Sequence, residues 1–392
     1  MCYAIPGRVT ETDNNMVTVD YCGETRRARN ELDGVKPGDY VYAQGGFVIQ
    51  TIPEEQAKEI LKTWEELLQH LQQVDLQSVK EKTNIYQTAN AIRQKELGNA
   101  CCVHGIIEFS NICKNNCLYC GIRKGNVKLQ RYRMSMDEIV SACDEAVNTL
   151  GFKALVLQSG EDETWDGDKL SELIEKIKQK CAALIIVSVG EKSLQEYKKI
   201  YEAGARGALV RFETSNDELY GKLKPESTLT QRVNLIRALK EMGFFIMTGF
   251  LTGLPGQTEK DIENDMDMCM SLQPDMITFG PFIPHPRTPL ASQSAPGLHQ
   301  ALAVMARLRT VCRDAKIVVT TALETLDKEN GARMGLLSGG NSMMINVTPQ
   351  KYRPLYEIYP DRESSYVSTE QKISRVIKLL HSLGRAPTDL GI

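Results

Sequence analysis

Three cysteines stand close together in the segment SNICKNNCLYCGIRK, residues 110–124, with the spacing C-x3-C-x2-C. Cys113, Cys117 and Cys120 can present three thiolates from one short loop. Such a loop can hold three irons of a [4Fe–4S] cluster and leave the fourth iron open to an outside ligand. A closed zinc site needs a fourth ligand, and His104, upstream in a predicted strand, is poorly placed for it. A chance grouping among the eleven cysteines is the remaining alternative.

Composition limits the class of protein that surrounds these cysteines. The chain has 392 residues, of which 42% are hydrophobic and 25% charged, so it can bury a large core. A formal net charge of −3 gives no reason to expect nucleic acid or an anionic membrane as a partner. The sequence contains neither an apolar run of membrane-spanning length nor a signal-type start. We therefore expect a cytoplasmic protein with reduced thiols.

From residue 101 onward, apolar β-rich runs alternate with amphipathic helical patterns. Eight such units in roughly 250 residues predict a (β/α)8 barrel, the α/β fold known as the TIM barrel. A doubly wound open sheet is the structural alternative. Helix starts carry capping-box signals, for example Ser135 with Glu138, and Thr51 with Glu54. The predicted strands are 103–110, 154–160, 183–190, 208–215, 244–253, 276–284, 316–323 and 342–349.

The first part of the chain has a different pattern. Short β-rich runs in residues 3–52 are separated by turn residues, which predicts a small all-β barrel. An apolar stripe over residues 57–71 then predicts a helix. We therefore divide the chain into a small β-barrel with its helix (1–72), a helical linker (73–99) and the (β/α)8 barrel (100–392).

The predicted fold can be tested against the motifs, because catalytic residues of such barrels follow the carboxyl ends of the strands. The cysteine motif follows the first barrel strand, QSGED (158–162) ends the second and RFETS (211–215) ends the fourth. GLPGQT, GPFIPHP, TTALET and NVTPQKYR follow the last four strands. Polar residues therefore gather where the barrel would build its active face.

C-x3-C-x2-C with Tyr119 beside the third cysteine, after the first strand of a barrel, resembles the radical S-adenosylmethionine (SAM) superfamily. The resemblance implies a [4Fe–4S] cluster on the three cysteines and cleavage of SAM to a 5′-deoxyadenosyl radical. It also implies that Arg232 is the partner of the SAM carboxylate. QSGED has Ser159 where the motif usually has glycine. Candidate cofactor-binding residues are Tyr119, Gln158, Ser159, Gly160, Glu161, Arg211, Glu213, Arg232, Met276 and Met344.

FSNICKNNCLYCGIRKGN, LVLQSGED, GPFIPHPRTPLA and YRPLYEIYP together resemble the HydE family of [FeFe]-hydrogenase maturases over residues 100–390. This resemblance implies a small iron carbonyl–cyanide–cysteine complex as substrate, and HydG and HydF as fellow maturases. A related radical SAM synthase (methylornithine or biotin synthase type) and a non-catalytic iron–sulfur scaffold are the alternatives. Because no cysteine follows Cys312, we expect one cluster. Candidate substrate-binding residues are Arg211, Thr320, Thr321, Tyr352 and Arg353.

MCYAIPGRV and GVKPGDYVYAQGGFVIQTIPEEQA resemble the HypC family of small [NiFe]-hydrogenase chaperones over residues 1–70. The resemblance implies that Cys2, with its α-amino group free after removal of Met1, binds a metal. We expect Cys2 to pass an iron carbonyl–cyanide species to or from the barrel cavity; otherwise the front domain docks a partner maturase or serves another copy of the chain. Lys124 and Arg131 are expected to be solvated loop charges. Expected buried thiols are Cys101, Cys102, Cys143, Cys181, Cys269 and Cys312.

Overall fold

The small barrel is built from short strands whose alternate residues face inward. The computed structural model describes residues 4–362 and 366–389, so Cys2 lies outside the described residues. Val9, Val17 and Val19 are buried in the barrel's centre. The strands close in the order β1-β2-β3-β5-β4. They are β1 (Gly7–Asp13), β2 (Met16–Tyr21), β3 (Glu24–Arg29), β4 (Tyr40–Gln44) and β5 (Phe47–Ile52).

Two helices connect the small barrel to the large one. Helix α1 (Glu54–Ser78) extends further than predicted, and α2 (Ile85–Leu97) follows it. The predicted capping role of Thr51 is wrong, because Pro53 occupies the N-cap and no side chain caps this helix. Asp75 in α1 accepts two hydrogen bonds from Arg93 in α2, at 2.6 and 2.7 Å, with both side chains fully buried. This ion pair ties the two helices together.

The large barrel confirms the predicted (β/α)8 fold. Its eight strands, in the part of the chain that is described, close in the order β10-β12-β14-β15-β6-β7-β8-β9. Closure between the last and first strands pairs Ser342 with Cys102, which a doubly wound open sheet would not do. The strands from here on are β6 (Cys102–Ser110), β7 (Ala154–Ser159), β8 (Leu184–Ser188), β9 (Gly207–Leu209), β10 (Phe245–Thr248), β11 (Leu251–Thr252), β12 (Met276–Ile277), β13 (Gly280–Pro281), β14 (Lys316–Val319) and β15 (Ser342–Asn346).

Helices surround this barrel and begin where local signals place them. Ser135 accepts from the Glu138 amide in a complete capping box, as predicted. Among the described residues, no helix has both the length and the apolar character needed to cross a membrane. The helices are α3 (Met136–Asp144), α4 (Gly167–Lys180), α5 (Leu194–Glu202), α6 (Asp217–Leu223), α7 (Leu229–Glu241), α8 (Glu259–Leu272), α9 (Leu298–Val311), α10 (Thr321–Leu326), α11 (Gly331–Leu337) and α12 (Thr369–Ser382).

The small barrel lies against the amino-terminal end of the large one. Phe47 and Ile49 of β5 belong to the same apolar cluster as residues at the strand starts, including Leu184 and Phe245. The backbone N–H of Gly45 donates to the Asp389 carboxylate at 2.8 Å. The small barrel therefore contacts the end of the large barrel opposite to the face where the cysteine motif lies.

Candidate active site

The loop that follows β6 carries the three cysteines to one end of a cavity of about 320 Å³. Backbone hydrogen bonds fix the loop to three other parts of the barrel. The amide of Lys114 donates to Glu161 O at 3.0 Å, that of Leu118 to Leu223 O at 2.9 Å and that of Gly121 to Ile358 O at 2.9 Å. The positions of Cys113, Cys117 and Cys120 are therefore set by the whole active face.

Arg131 stabilises this loop from within, so the prediction that it is a solvated charge is wrong. Its guanidinium donates to the carbonyl oxygens of Asn111 at 2.6 Å, Ile122 at 2.7 Å and Arg123 at 2.7 Å. Carbonyl groups of an irregular loop need such donors because no neighbouring strand supplies them. Lys124, in contrast, is exposed as predicted.

The chemistry of the three cysteines fits a bound iron–sulfur cluster. Burial raises the pKa of Cys113, Cys117 and Cys120 above the ordinary thiol value. A negative charge on Cys113 raises the pKa of Cys117 further, and negative charges on Cys117 and Cys113 do the same for Cys120. The three thiols, of which Cys117 is buried and Cys113 and Cys120 are partly buried, are therefore protonated by themselves, and iron would stabilise them as thiolates.

QSGED packs directly on the cysteine loop. A β-carbon at Gly160 would lie 2.3 Å from the carbonyl oxygen of Ile112, so this position requires glycine. The Ser159 hydroxyl, where related motifs have glycine, donates to Gly160 O at 2.7 Å. Asp162 has a structural role, because it accepts from Ser110 Oγ at 2.7 Å and from Arg133 Nε at 2.7 Å.

Arg232 lies buried between carboxylates on the cavity wall. Its Nε is 2.8 Å from Glu191 Oε1, and its Nη2 is 3.6 Å from Glu161 Oε1. Burial opposes the positive charge, but Tyr220, Glu191 and Glu161 outweigh burial and raise the pKa of Arg232. The guanidinium is therefore a permanent cation at the position where the sequence predicts a carboxylate partner.

Arg211 and Glu213 face the same cavity from the loop after β9. Arg211 Nη2 lies 3.1 Å from Glu213 Oε2 and donates to Phe250 O at 2.8 Å. Glu213 has φ of 65°, a left-handed conformation that costs a non-glycine residue free energy. Strained backbone of this kind occurs preferentially at functional sites.

A buried carboxylate behind this loop holds it to the next one. Asp265 in α8 accepts from Ser215 Oγ at 2.7 Å and from Gln257 Nε2 at 2.9 Å. RFETS and GLPGQT, which contain these two donors, are thereby joined. Burial raises the pKa of Asp265 to about 6, against hydrogen bonds that lower it. Nothing in the sequence pattern singled out this aspartate, because it lies in the middle of an ordinary amphipathic helix.

The cavity wall carries donors that have no acceptor within the described residues. They are buried nitrogen and hydroxyl groups: Arg211 Nε, Thr278 Oγ1, Thr320 Oγ1 and Arg362 Nε. Thr321 also lines the cavity, and its hydroxyl is hydrogen-bonded to Tyr359. The wall is thus suited to a ligand rich in acceptors.

The C-terminal segment adds residues to this wall that the sequence pattern does not single out. Arg362 forms a buried ion pair with Glu108 of β6, and Asn346 Nδ2 donates to the same carboxylate at 2.7 Å. Tyr356 and Tyr359 line the cavity as well. The motif YRPLYEIYP marks part of this segment in the sequence, but the segment is irregular, and its turns determine which side chains face the cavity.

Tyr352, Arg353 and Met276 do not line this cavity, contrary to expectation. Tyr352 stacks on Tyr132 and donates to Glu138 at 2.8 Å. Arg353 is buried, and it donates to Thr348 O and Val367 O. The methionine is packed in the barrel core beneath the cavity. Residues placed on the cavity as expected are Tyr119, Gln158, Ser159, Gly160, Glu161, Arg211, Glu213, Arg232, Thr320, Thr321 and Met344.

The structure confirms the prediction that the other six cysteines named above are buried thiols. All six predicted buried thiols are buried. They are Cys101, Cys102, Cys143, Cys181, Cys269 and Cys312.

Comparisons with known proteins first define the class. Residues 107–269 match the Radical SAM superfamily, and residues 1–64 match the HupF/HypC family. The crystal structure of methylornithine synthase (PylB) covers 82% of this chain and 93% of its own, with a TM-score of 0.67 and 24% identity. Barrel, cysteine loop and superfamily match together define a radical SAM enzyme, a class that implies a [4Fe–4S] cluster and SAM.

Two relatives define the family more closely. The [FeFe] hydrogenase maturase subunit HydE of Thermotoga maritima is 40% identical over 303 residues, which are 77% of this chain and 86% of the relative. The hydrogenase maturation factor HypC of Helicobacter hepaticus is 40% identical over 83 residues, which are 20% of this chain and 96% of the relative. The chain belongs to the HydE family of hydrogenase maturases and carries a HypC-type domain in front of the barrel.

Proposed function

We propose that this maturase binds one [4Fe–4S] cluster through Cys113, Cys117 and Cys120. It uses the cluster and SAM to act on a small iron carbonyl–cyanide–cysteine complex during assembly of the [FeFe]-hydrogenase cofactor. The observation that carries the proposal is the cavity itself, since three thiols line one end and acceptor-free donors line its wall. When bound, the cluster and SAM supply reductive cleavage of SAM to a 5′-deoxyadenosyl radical.

The residues near the cysteines orient SAM in this proposal. Glu161 accepts from the SAM amino group, and the Arg232 guanidinium pairs with the SAM carboxylate, as charge-assisted hydrogen bonds favour. Arg211 and Glu213 bind the other polar groups of SAM from the loop after β9. Tyr119 and Met344 border the bound cofactor.

The donors deeper in the cavity bind the substrate. Cyanide nitrogens and carboxylate oxygens accept hydrogen bonds, and the buried Thr278, Thr320, Arg211 and Arg362 supply donors that lack partners among the described residues. Thr321 completes this group from the start of α10. A buried donor left unpaired costs about 1–3 kcal/mol, so an acceptor-rich ligand recovers free energy on binding.

Infrared titration of the synthetic iron complex tests the substrate. Thr320→Val should weaken its binding about tenfold or more, because a hydrogen bond to a charged group is lost. Thr248→Val is the matched control, since Thr248 is also buried without a partner among the described residues but lies off the cavity. SAM cleavage should survive both changes. Equal affinity in all three proteins would refute the contact with Thr320. Failure of the unchanged protein to bind the complex would refute this substrate, and an amino acid that binds in its place would favour the synthase alternative.

We also propose that the front domain acts on a partner or on another copy of the chain. Its contacts with the amino-terminal end of the barrel support this, because the cavity opens at the other end. Cys2 would then bind an iron carbonyl–cyanide species for exchange with maturases such as HydG or HydF.

A Cys2→Ala variant tests the role of the front domain. SAM cleavage should be unchanged, because no proposed cluster ligand is touched, while hydrogenase maturation should fall when the iron complex is limiting. Mixing this variant with a Cys113→Ala variant should restore maturation if the front domain serves another copy. Normal maturation by Cys2→Ala at every concentration of the iron complex would remove Cys2 from the pathway.

A further inference from the structure

A buried lysine lies on the cavity wall beside the cysteine loop. Lys224 is 6% exposed and lines the same cavity as Cys113, Cys117 and Cys120. It directly follows α6 and closes the last turn of that helix, because its amide donates to Tyr220 O at 2.8 Å. Lysine is almost never buried to this extent unless an anion is paired with it. The burial of Lys224 therefore implies a negative charge close to its side chain.

The acids on this wall do not supply that charge. They are ion-paired with arginines: Glu213 with Arg211, and Glu161 and Glu191 with Arg232. Within residues 4–362 and 366–389, Lys224 has no carboxylate at ion-pair distance. An ammonium group is costly to bury without an anion. Lys224 is therefore suited to a negative charge that enters the cavity with a bound group.

The Lys224 ammonium acts on all three thiols of the cysteine loop. The amide of Leu118, in that loop, donates to Leu223 O at 2.9 Å, directly before the lysine. Burial raises the pKa of each of the three cysteines, and the charge of Lys224 acts in the opposite direction on every one of them. The lysine is therefore held by the backbone where its charge reaches all three sulfurs.

We infer that Lys224 raises the reduction potential of the cluster that the three cysteines bind, and that it does so through its buried positive charge. The inference rests on the proposed function, in which that cluster delivers one electron to SAM. Reduction transfers one electron from an external reductant to the cluster, and no bond forms or breaks. A fixed cation beside the sulfurs stabilises the added negative charge, since charge and hydrogen bonding around a cluster set its potential. Arg232 is the cation assigned to the SAM carboxylate, which leaves Lys224 for the cluster.

A redox titration of the reconstituted protein, followed by electron paramagnetic resonance in the absence of SAM, tests the inference. Lys224→Met should shift the reduction equilibrium of the cluster at least about tenfold toward the oxidised state, which is about 59 mV for one electron. Lys224→Arg keeps the charge and should stay within about threefold of the unchanged protein. Lys114→Met is the matched control, because Lys114 directly follows Cys113 but is exposed. Water and salt screen its charge, so the equilibrium should move by less than about twofold.

Iron content and thermal unfolding show first whether each variant is loaded and folded. Lys224→Gln, which also removes the charge, takes the place of Lys224→Met if that variant does not bind the cluster. An unchanged potential in the uncharged variant overturns the inference, and so does an equally lowered potential in Lys224→Arg, which would indicate a structural effect. Weaker SAM binding with an unchanged potential also overturns it, because the lysine would then bind SAM. Failure of the unchanged protein to bind a reducible cluster overturns the proposed function instead.

Discussion

Gly160 lies so close to Ile112 that a β-carbon would stand 2.3 Å from the Ile112 carbonyl oxygen and 2.9 Å from Cys113 Cβ. The turn after β7 is therefore packed without a gap against the loop that carries the first cysteine. Position 160 has room only for hydrogen, and the geometry of the thiols depends on that close approach.

Gly160→Ala should displace Cys113 and lower SAM cleavage about 100-fold, because small misplacements of reacting groups have effects of this size. Iron content after reconstitution should fall with it. Gly221→Ala in α6 is the control, since a β-carbon there meets no atom within 4 Å. Full activity of Gly160→Ala would mean that the cysteine loop moves without consequence.

Arg362→Met should destabilise the protein by about 3–5 kcal/mol, because it leaves the Glu108 carboxylate buried without its cation. Adding Glu108→Gln should recover part of that loss, since the remaining amide carries no charge. Chemical denaturation of the two single variants and the double variant measures the coupling. Purely additive effects would show that the pair does not interact energetically.

Asp265 should make the protein less stable as pH rises. Its pKa is about 6 in the folded chain, above the ordinary aspartate value of 3.8, so the folded state holds the proton to higher pH than the unfolded state. The contribution of Asp265 to the free energy of unfolding, up to about 3 kcal/mol, is therefore lost as the pH rises from about 4 to about 6.

Denaturation of Asp265→Asn across this pH range measures the effect. The stability difference, unchanged protein minus variant, should decrease as pH rises. Asp267→Asn on the exposed side of the same helix is the control and should show a flat difference. A difference that increases with pH would mean that the hydrogen bonds from Ser215 and Gln257 outweigh burial.

Gly45→Ala should loosen the contact between the two barrels. The position has φ of 58°, and a β-carbon would lie 2.7 Å from Leu184 Cδ2 across the interface. Gly34→Ala is the matched control, because Gly34 also has a positive φ, 78°, but a β-carbon there would meet no atom within 4 Å. Both changes should carry a left-handed backbone cost of about 1–2 kcal/mol, and Gly45→Ala should add about 1–3 kcal/mol of overpacking.

Thermal unfolding and limited proteolysis of α1 and α2 distinguish these two variants. Faster cleavage between the barrels is expected for Gly45→Ala alone. Identical behaviour would indicate that the small barrel is not held by this contact.

Local patterns in the sequence were sufficient for the large barrel. The runs ALVL and ALIIV are continuously apolar because both faces of those strands are buried. Ser135 and Glu138 mark a helix start through their own hydrogen bonds. Thr51 does not cap helix α1, because Pro53 lies closer to the helix and occupies the N-cap position. Each of these features depends on residues that lie within a few positions of one another in the sequence.

Contacts between segments that are far apart in the sequence cannot be predicted from local patterns. Glu108 and Arg362 are 254 positions apart, and neither residue carries a local sign of its partner. The segment 352–362 is irregular and has no periodicity that shows which side chains face inward, so the sequence does not distinguish Tyr352 and Arg353 from the cavity-lining Tyr356, Tyr359 and Arg362. No local sequence pattern indicates that the small barrel packs on the amino-terminal end of the large barrel.

The central claim is that Cys113, Cys117 and Cys120 together hold the cluster that cleaves SAM. The direct measurement is 5′-deoxyadenosine formation after anaerobic reconstitution, with dithionite as reductant, in the unchanged protein and in each single Cys→Ala variant. The unchanged protein should bind about four irons per chain and cleave SAM. Cys143→Ala, a buried thiol elsewhere, should do the same, while the three loop variants should form no product. Retained cleavage in all three loop variants would contradict the claim.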